Sequence, residues 1–339
     1  MPDPSSLPWA RARLHVVTGK GGTGKTTVAA ALALALASGG KRVLLVEVEG
    51  RQGLSQTFDV GPLSIAETRL ARAPGGGEVM GLSVDAKAAL LEYLQIFYKL
   101  GRAGGVLERF GAIDFATTIA PGVRDVLLIG KVYEANRRHK DGRRTDPVEG
   151  DMVYDAIVLD APPTGRVVRF LSVNEEVADL ARMGPIKGQA DSITNMLRSG
   201  QSVVHVVTLL EDMPVQETAD SVADLRAARM PVGAVVVNQV RPPILPDRQL
   251  RAAARGRVDR DAIRAGLETA GLATTDVVVD GLVTEARDHA RRVALETELR
   301  TRVDELGMPV FSLPALTDGI DVSAIRELAD LLLGQGMVS

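Results

Sequence analysis

Short apolar segments alternate with longer segments of helical periodicity along the chain. The apolar segments are rich in Val, Ile and Leu and cover residues 14–17, 43–48, 81–84, 156–159, 203–209, 234–237 and 310–313. Nearly continuous apolar strands separated by helices are typical of a parallel sheet that is covered on both faces. The pattern therefore predicts an α/β fold with a mostly parallel, doubly wound sheet, in which ligands bind at the carboxyl ends of the strands.

A glycine-rich segment directly follows the first predicted strand and precedes an Ala/Leu-rich helical stretch. Glycines at this spacing adopt φ angles closed to other residues, so that successive backbone N–H groups can point at one polyphosphate. Lys25 would contact the outer phosphates, Thr26 would offer its hydroxyl to Mg²⁺, and the helix N-terminus would add partial positive charge. A glycine-rich turn without a nucleotide is the alternative. The sequence thus predicts a P-loop NTPase fold with these nucleotide-binding residues: Gly19, Gly21, Gly22, Thr23, Gly24, Lys25, Thr26 and Thr27.

A second candidate site lies at the end of the predicted strand 156–159. Asp160 stands there, and Ala161-Pro162-Pro163-Thr164-Gly165 follows it. A carboxylate at the carboxyl end of this strand is expected to hold Mg²⁺ through a water, with the following loop near the γ-phosphate. A strand that merely ends in a turn is the alternative.

The composition narrows the classes of protein that the chain can represent. The sequence has 339 residues, of which 45% are hydrophobic and 24% are charged, enough for a substantial core. Its formal net charge of -3 gives no general reason to expect nucleic acid as a partner. It contains no cysteine, which excludes disulfides, iron–sulfur clusters and thiolate metal sites.

The sequence predicts neither a signal peptide nor an integral membrane segment. The first residues lack a basic region followed by an apolar stretch, and nowhere do about 18 uncharged apolar residues follow one another. A basic run at 137–144 is interpreted as a solvated surface loop, with a patch for an anionic partner as the alternative. We expect a cytoplasmic protein with a flexible N-terminus over residues 1–12 and a single P-loop domain over residues 13–339.

Lys20 is a second lysine in the glycine-rich segment, directly after its first glycine. Gly-Lys-Gly-Gly-x-Gly-Lys-Thr resembles the deviant Walker A motif of the family that includes the MinD and ParA positioning ATPases, the nitrogenase iron protein, the arsenical pump ATPase and the tail-anchored-protein targeting ATPases. In that family the extra lysine crosses a dimer interface to the partner's nucleotide. The resemblance implies a nucleotide-dependent homodimer, or a heterodimer with a paralogous ATPase. A solvated surface lysine is the alternative.

Two further segments are similar to the arsenical-pump and tail-anchored-targeting branch of that family. The segment from Asp160 to Leu171 resembles its second switch, D-T-A-P-T-G-H-T-x-R-F-L, mainly through Thr-Gly-x-x-x-Arg-Phe-Leu. Val-Asn-Gln at 237–239 matches its V-N-Q segment, whose asparagine reads adenine. The resemblance therefore implies that Asn238 binds the nucleotide, with Pro314 at the end of the similar region as a further contact. A turn that caps the strand is the alternative for Asn238.

The first switch departs from that branch. Glu49 stands where the family has the aspartate of D-P-A-H-x-L-S, which orients or activates the attacking water. The additional methylene displaces the carboxylate, and catalysis is sensitive to such displacement. Glu47 is another carboxylate nearby. We expect it to lie two residues earlier along the strand, and we therefore favour Glu49 as the residue that positions the water. The resemblance implies ATP hydrolysis, at a rate that Glu49 lowers, with these catalytic residues: Lys20, Lys25, Glu49 and Asp160.

The resemblance implies a dimeric switch ATPase with ATP and Mg²⁺ as cofactors, which couples its nucleotide state to a protein client. The client would be hydrophobic or a membrane protein, and a smaller helical subdomain from about 90–135 and 172–200 would contribute to its binding. Without cysteine, neither an arsenite nor a zinc site is expected. The alternative is a weakly hydrolytic ATP-binding subunit that depends on a paralogous ATPase. A ParA-like or MinD-like role would need a basic DNA-binding surface or an amphipathic anchor.

Overall fold

The computed structural model describes residues 7–48, 52–64, 66–84, 121–148, 150–180, 185–317 and 319–338. The described strands are β1 Leu14–Gly19, β2 Arg42–Glu47, β3 Thr68–Arg72, β4 Glu78–Ser83, β5 Ala156–Asp160, β6 Ser202–Thr208, β7 Val232–Val240 and β8 Val310–Pro314. They form one sheet of order β3-β4-β2-β5-β1-β6-β7-β8. Every neighbouring pair is parallel except β3–β4, which is antiparallel. The predicted mostly parallel α/β fold is confirmed, and the glycine-rich segment follows the central strand β1.

Every apolar segment predicted as a strand is a strand, with small shifts of its bounds. The sequence prediction missed β3, one of the two edge strands. Only Leu70 and Ala71 of β3 are buried, and charged or polar residues occupy its other positions. An edge strand with one covered face lacks the continuous apolar run that marks a strand buried on both faces.

Helices cover both faces of the sheet, as predicted. The described helices are α1 Lys25–Ala37, α2 Gly53–Thr57, α3 Pro121–Asn136, α4 Thr164–Leu180, α5 Pro185–Arg198, α6 Asp212–Ala227, α7 Asp247–Ala254, α8 Arg260–Thr269, α9 Asp276–Asp304 and α10 Val322–Gly334, with a 3₁₀ turn at Pro74–Gly76. Successive residues of β2 point to opposite faces: Val43 and Leu45 pack with α1 and α10, whereas Leu44 packs with α3 to α6. From Val28 to Ala37, helix α1 is apolar on all sides, as expected for a helix that lies between the sheet and α10.

The chain segment before β1 packs against the core. Leu7 and Trp9 are buried, and the Trp9 indole N–H donates a hydrogen bond of 3.1 Å to the backbone carbonyl of Met337. This differs from the expectation of a flexible N-terminus over residues 1–12, whose first six residues lie outside the described part of the chain. Burial of a large indole that also finds a hydrogen-bond acceptor explains the ordered packing.

The expected helical subdomain is described only in part, because residues 85–120 lie outside the described residues. Helices α3 and α5 pack against α4. Ile193 and Met196 of α5 are buried in the core of the sheet, so these two side chains do not form an exposed apolar face for a client. None of the described helices combines the length and the apolar character needed to cross a membrane.

The basic run at 137–144 is largely neutralised by acidic neighbours. Arg138 pairs with Glu134 and Glu67 at 2.9 and 2.6 Å, and Arg144 pairs with Glu134 at 2.9 Å. Burial lowers the pKa of Arg138, but the hydrogen bonds and charges of Glu134 and Glu67 together raise it above its usual value. The pairing favours the interpretation as a surface loop over a patch for an anionic partner.

Candidate nucleotide-binding site

The glycine-rich segment forms a loop between the end of β1 and the start of α1. Gly24 caps α1 with φ 83°, a left-handed conformation that strongly favours glycine. A Cβ at Gly24 would overlap the Asn238 carboxamide, and a Cβ at Gly19 would overlap the backbone carbonyl of Val207. Backbone conformation and close packing both demand glycine here, and the loop places the N-terminus of a 13-residue helix at the carboxyl edge of the sheet. Such a helix end favours an anion.

The Lys25 side chain folds back over this loop. Its ammonium lies 3.4 Å from the Lys20 carbonyl oxygen, which also accepts a hydrogen bond of 2.9 Å from the Thr23 hydroxyl. Lys25 and Thr26 are half-buried, as is the following Thr27. The cation therefore remains at the mouth of the loop, where the motif predicts the outer phosphates.

Thr26 and Asp160 meet, although they are 134 residues apart in sequence. The Thr26 hydroxyl donates a hydrogen bond of 2.7 Å to Asp160 Oδ2, and Asp160 is 8% exposed. The contact arises because β1, which leads to Thr26, is paired in parallel with β5, which ends at Asp160. The two residues predicted to bind Mg²⁺ are therefore in direct contact in the fold. A hydroxyl and a carboxylate are both oxygen donors of the kind that Mg²⁺ prefers.

The segment after Asp160 is tied to the end of β1. The Thr18 hydroxyl donates to the backbone carbonyl of Pro162 at 2.8 Å, and the Ala161 N–H donates to the carbonyl of Val17 at 3.0 Å. Helix α4 then begins at Thr164. The predicted second switch is therefore hydrogen-bonded directly to the strand that precedes the glycine-rich loop.

Glu47 is a residue of this site that the sequence interpretation set aside. It is the last residue of β2, it is 3% exposed, and its register partner on β5 is Asp160. Its Oε1 accepts a hydrogen bond of 2.8 Å from the Gly53 N–H, the first residue of α2. An acidic residue at the end of an otherwise apolar strand was the available signal. This signal could have been used only by aligning β2 with β5 so that Glu47 stands opposite Asp160.

Glu49, the favoured water-positioning residue, lies outside the described residues. The described chain runs to Val48 and resumes at Gln52, which precedes α2. The role of Glu49 therefore stays a prediction from the sequence.

Asn238 lies inside β7 rather than just after it, and its side chain contacts the glycine-rich loop. Its carboxamide nitrogen donates a hydrogen bond of 2.9 Å to the Thr23 carbonyl. The register of β7 against β8 shifts between Val237 and Val240, and Gln239 has φ 55° within this irregularity. Strand irregularities of this kind redirect side chains, here toward the loop.

A cavity of about 270 Å³ adjoins Asn238. Its walls are the start of α6, the end of β7 and one side of α9, with Arg292, Leu295 and Glu296 on α9. Pro314 ends β8 opposite Val240, which also lines the cavity. The predicted base-binding residues therefore lie beside a space next to the glycine-rich loop, with polar and apolar side chains in its wall.

Lys20 is held within its own chain in this structure. Its ammonium lies 2.8 Å from Glu217 Oε1 on α6, with both side chains about one-third exposed. Glu217 Oε2 accepts a hydrogen bond of 3.3 Å from the Thr164 hydroxyl at the start of α4. Lys20 is thus connected to the predicted second switch through one glutamate, which sequence reasoning did not single out as a partner.

Comparisons with known proteins identify the family of the chain. The family model described as anion-transporting ATPase, of the ArsA type, matches residues 12–200. The ATPase BagA of Mycobacterium tuberculosis is 49% identical over 337 residues, which cover 98% of this chain and 97% of that protein. The ATPase GET3 of Lachancea thermotolerans is 25% identical over 265 residues, 66% of this chain and 71% of that protein. The chain therefore belongs to the anion-transporting ATPase family, as its glycine-rich loop and second switch predicted.

Proposed function

We propose that this ATPase binds MgATP at the loop of residues 19–27, hydrolyses it, and acts as a dimeric nucleotide switch. The observation that carries the proposal is the hydrogen bond of 2.7 Å between Thr26 and Asp160 at the N-terminus of α1. It joins a phosphate-binding loop to the carboxylate of a second switch. A glycine-rich turn without a nucleotide would not need a buried acid at this point.

The residues of the site fit ATP and Mg²⁺. The backbone N–H groups at the start of α1 and the Lys25 ammonium bind the phosphates, and Asn238 with the adjoining cavity binds the base. Thr26 would hold the metal, and Asp160 would hold it through a water. When bound, Mg²⁺ neutralises charge on the β- and γ-phosphates. The buried position of Asp160 keeps its carboxylate oriented by the Thr26 hydroxyl.

The switch part of the proposal rests on the resemblance together with the Lys20 contact. Lys20 would leave Glu217 and cross to the nucleotide of a partner, which is a second copy or a paralogous ATPase. Release of Glu217 would free Thr164 and so connect dimer closure to the second switch. The nucleotide state would then control binding of a hydrophobic or membrane-protein client, with no arsenite or zinc site involved.

Replacement of Lys25 tests the binding part. Lys25→Ala removes the main counter-charge of the phosphates, and we expect ATP affinity to fall about a hundredfold or more. The matched control is Lys140→Ala in the exposed loop at 137–144, which should bind ATP as the wild type does. Titration calorimetry with MgATP measures both variants. Equal affinity of Lys25→Ala and wild type would refute the assignment of the loop.

A second candidate function follows from Glu49, which replaces the family's aspartate. The chain would then bind ATP but depend on a paralogous ATPase for turnover. Steady-state hydrolysis by the isolated chain separates the two functions, since a self-sufficient ATPase turns over without a partner. Glu49→Asp should change kcat and leave ATP affinity nearly unchanged, because a group that acts only in the transition state affects the rate.

A further inference from the structure

Glu47 is a buried acid whose hydrogen bonding is incomplete. Its Oε1 accepts from the Gly53 N–H at 2.8 Å, but its Oε2 is inaccessible to solvent and has no hydrogen-bond partner among the residues that the structure describes. A buried carboxylate oxygen without a partner costs free energy, since it has lost water and gained nothing. A fold that retains such an atom usually reserves it for a ligand, an ion or a bound water.

The carboxylate of Glu47 faces the same small space as Thr26. A Cβ built on Gly53 would lie 3.4 Å from Glu47 Oε1, 3.3 Å from Thr26 Cγ2 and 3.8 Å from Thr26 Oγ1. Gly53 therefore lies between the two side chains, and its lack of a side chain leaves the space open. The unpartnered oxygen belongs to a group next to the hydroxyl assigned to Mg²⁺.

Asp160 and Glu47 also lie side by side across β2 and β5. Two acidic side chains directly opposite each other repel, and burial strengthens the repulsion. A divalent cation between or beside them removes this cost. Magnesium is typically held by one or two carboxylates together with substrate phosphates and its own waters. Among the described residues no group of three or more His, Asp and Glu forms a complete metal site, so the cation would arrive with the nucleotide.

We infer that Glu47 is the second carboxylate of the magnesium site and that its Oε2 accepts hydrogen bonds from the water shell of the nucleotide-bound Mg²⁺. This inference rests on the proposed function. Because Oε1 of the same group holds the first residue of α2, Glu47 connects the cation to the segment that follows the first switch. It is a positioning residue for the metal rather than a group that contacts the phosphates.

The test compares wild type and variants in the increase in ADP affinity that Mg²⁺ produces. Titration calorimetry measures ADP binding in excess EDTA and in excess Mg²⁺, and electron paramagnetic resonance counts Mn²⁺ bound in the presence of ADP. Glu47→Gln keeps an acceptor for the Gly53 N–H but removes the charge. We expect its metal-free ADP affinity to stay within about twofold of wild type and its Mg²⁺-dependent gain to fall about 10–100-fold, as is typical for the outer partners of a metal site.

Two further variants keep the outcome interpretable. Glu78→Gln makes the same change at the start of β4, at the opposite end of the sheet, and should keep the full gain. Glu47→Asp keeps the charge and withdraws it by one methylene, so it should retain part of the gain even where Glu47→Gln folds poorly.

This inference would be overturned if both Glu47 variants kept the full Mg²⁺-dependent gain in ADP affinity and full Mn²⁺ binding while Asp160→Asn lost both. The proposed function would then remain intact. Absence of any Mg²⁺ gain in the wild type would overturn both.

Discussion

Two pairs of buried titratable side chains lie within the sheet, and they differ in how their polar atoms are satisfied. His15 on β1 and His205 on β6 stack with ring centroids 5.5 Å apart, and His15 Nδ1 lies 3.2 Å from His205 Nε2. Glu47 and Asp160 lie on neighbouring strands at the carboxyl edge of the sheet. Both pairs are enclosed by similar apolar strands, so burial alone does not distinguish them.

The histidine pair forms a closed chain of hydrogen bonds. The Ala234 N–H donates to His205 Nδ1, which places the His205 proton on Nε2, where it donates to His15 Nδ1. His15 Nε2 then donates to the carbonyl of Ala12. All four ring nitrogens are engaged and both rings are neutral. Burial lowers the pKa of His15 to about 4 and also lowers the pKa of His205.

The carboxylate pair is open by comparison. In the described part of the chain Glu47 Oε2 has no hydrogen-bond partner, and Asp160 accepts a hydrogen bond from Thr26 at the start of α1. A closed network stabilises one conformation, whereas an open one retains capacity for a ligand. The difference teaches that incomplete hydrogen bonding, more than burial, distinguishes the end of the sheet where we propose that the nucleotide and Mg²⁺ bind. Two changes test this difference and a third tests the neighbouring ion pair, from the largest expected effect to the smallest.

The largest effect is expected at the carboxylate pair of Glu47 and Asp160. Asp160→Asn removes the charge that would hold the metal through water, and we expect kcat for ATP to fall about 10²–10³-fold. The free energy of unfolding should stay within about 1 kcal/mol of wild type or rise, because the repulsion with Glu47 is relieved. Steady-state kinetics and urea denaturation measure the two quantities. A stability loss without a change in kcat would show that Asp160 has a structural role like that of the histidines.

We expect the buried histidine pair to make the protein less stable in acid. Because the folded pKa of His15 is about 4, below its ordinary value of 6.5, the unfolded chain binds more protons between these values, and stability falls as the pH falls. His15 alone should cost about 2 kcal/mol between pH 7 and pH 5. Urea denaturation across this range measures it. His15→Gln should flatten the profile, and a profile equal to that of the wild type would contradict the prediction.

The smallest effect concerns Lys20 and Glu217, a partly exposed pair beside the open end of the sheet. Such pairs contribute about 0.2–1 kcal/mol, so Glu217→Gln should release Lys20 and strengthen ATP-dependent dimerisation only about 2–5-fold. Lys20→Ala should weaken dimerisation while ATP binding by the monomer is retained. Sedimentation with a non-hydrolysable ATP analogue, alone and with a paralogue, measures both variants. Weaker dimerisation of Glu217→Gln would mean that Glu217 supports the closed state rather than restraining Lys20.

Most of the fold could be predicted from the sequence because its signals are local. Apolar runs of strand length mark every strand that is buried on both faces, whereas β3 was missed because an edge strand carries polar residues on its open side. The sequence prediction did not foresee the burial of Leu7 and Trp9, because it depends on a surface formed by the far end of the chain, at Met337. No local pattern reports such a contact.

The sequence by itself determined the glycine-rich loop, the acid at the end of β5 and the family. Each of these is a local motif, in which spacing dictates backbone conformation through glycine φ angles and strand ends. Only the tertiary structure decided which distant groups meet there. Glu47 faces Asp160 through strand register, Asn238 contacts Thr23 from 215 residues away, and Lys20 pairs with Glu217. Strand order and register set these contacts, and they depend on packing across the whole sheet rather than on neighbours in sequence.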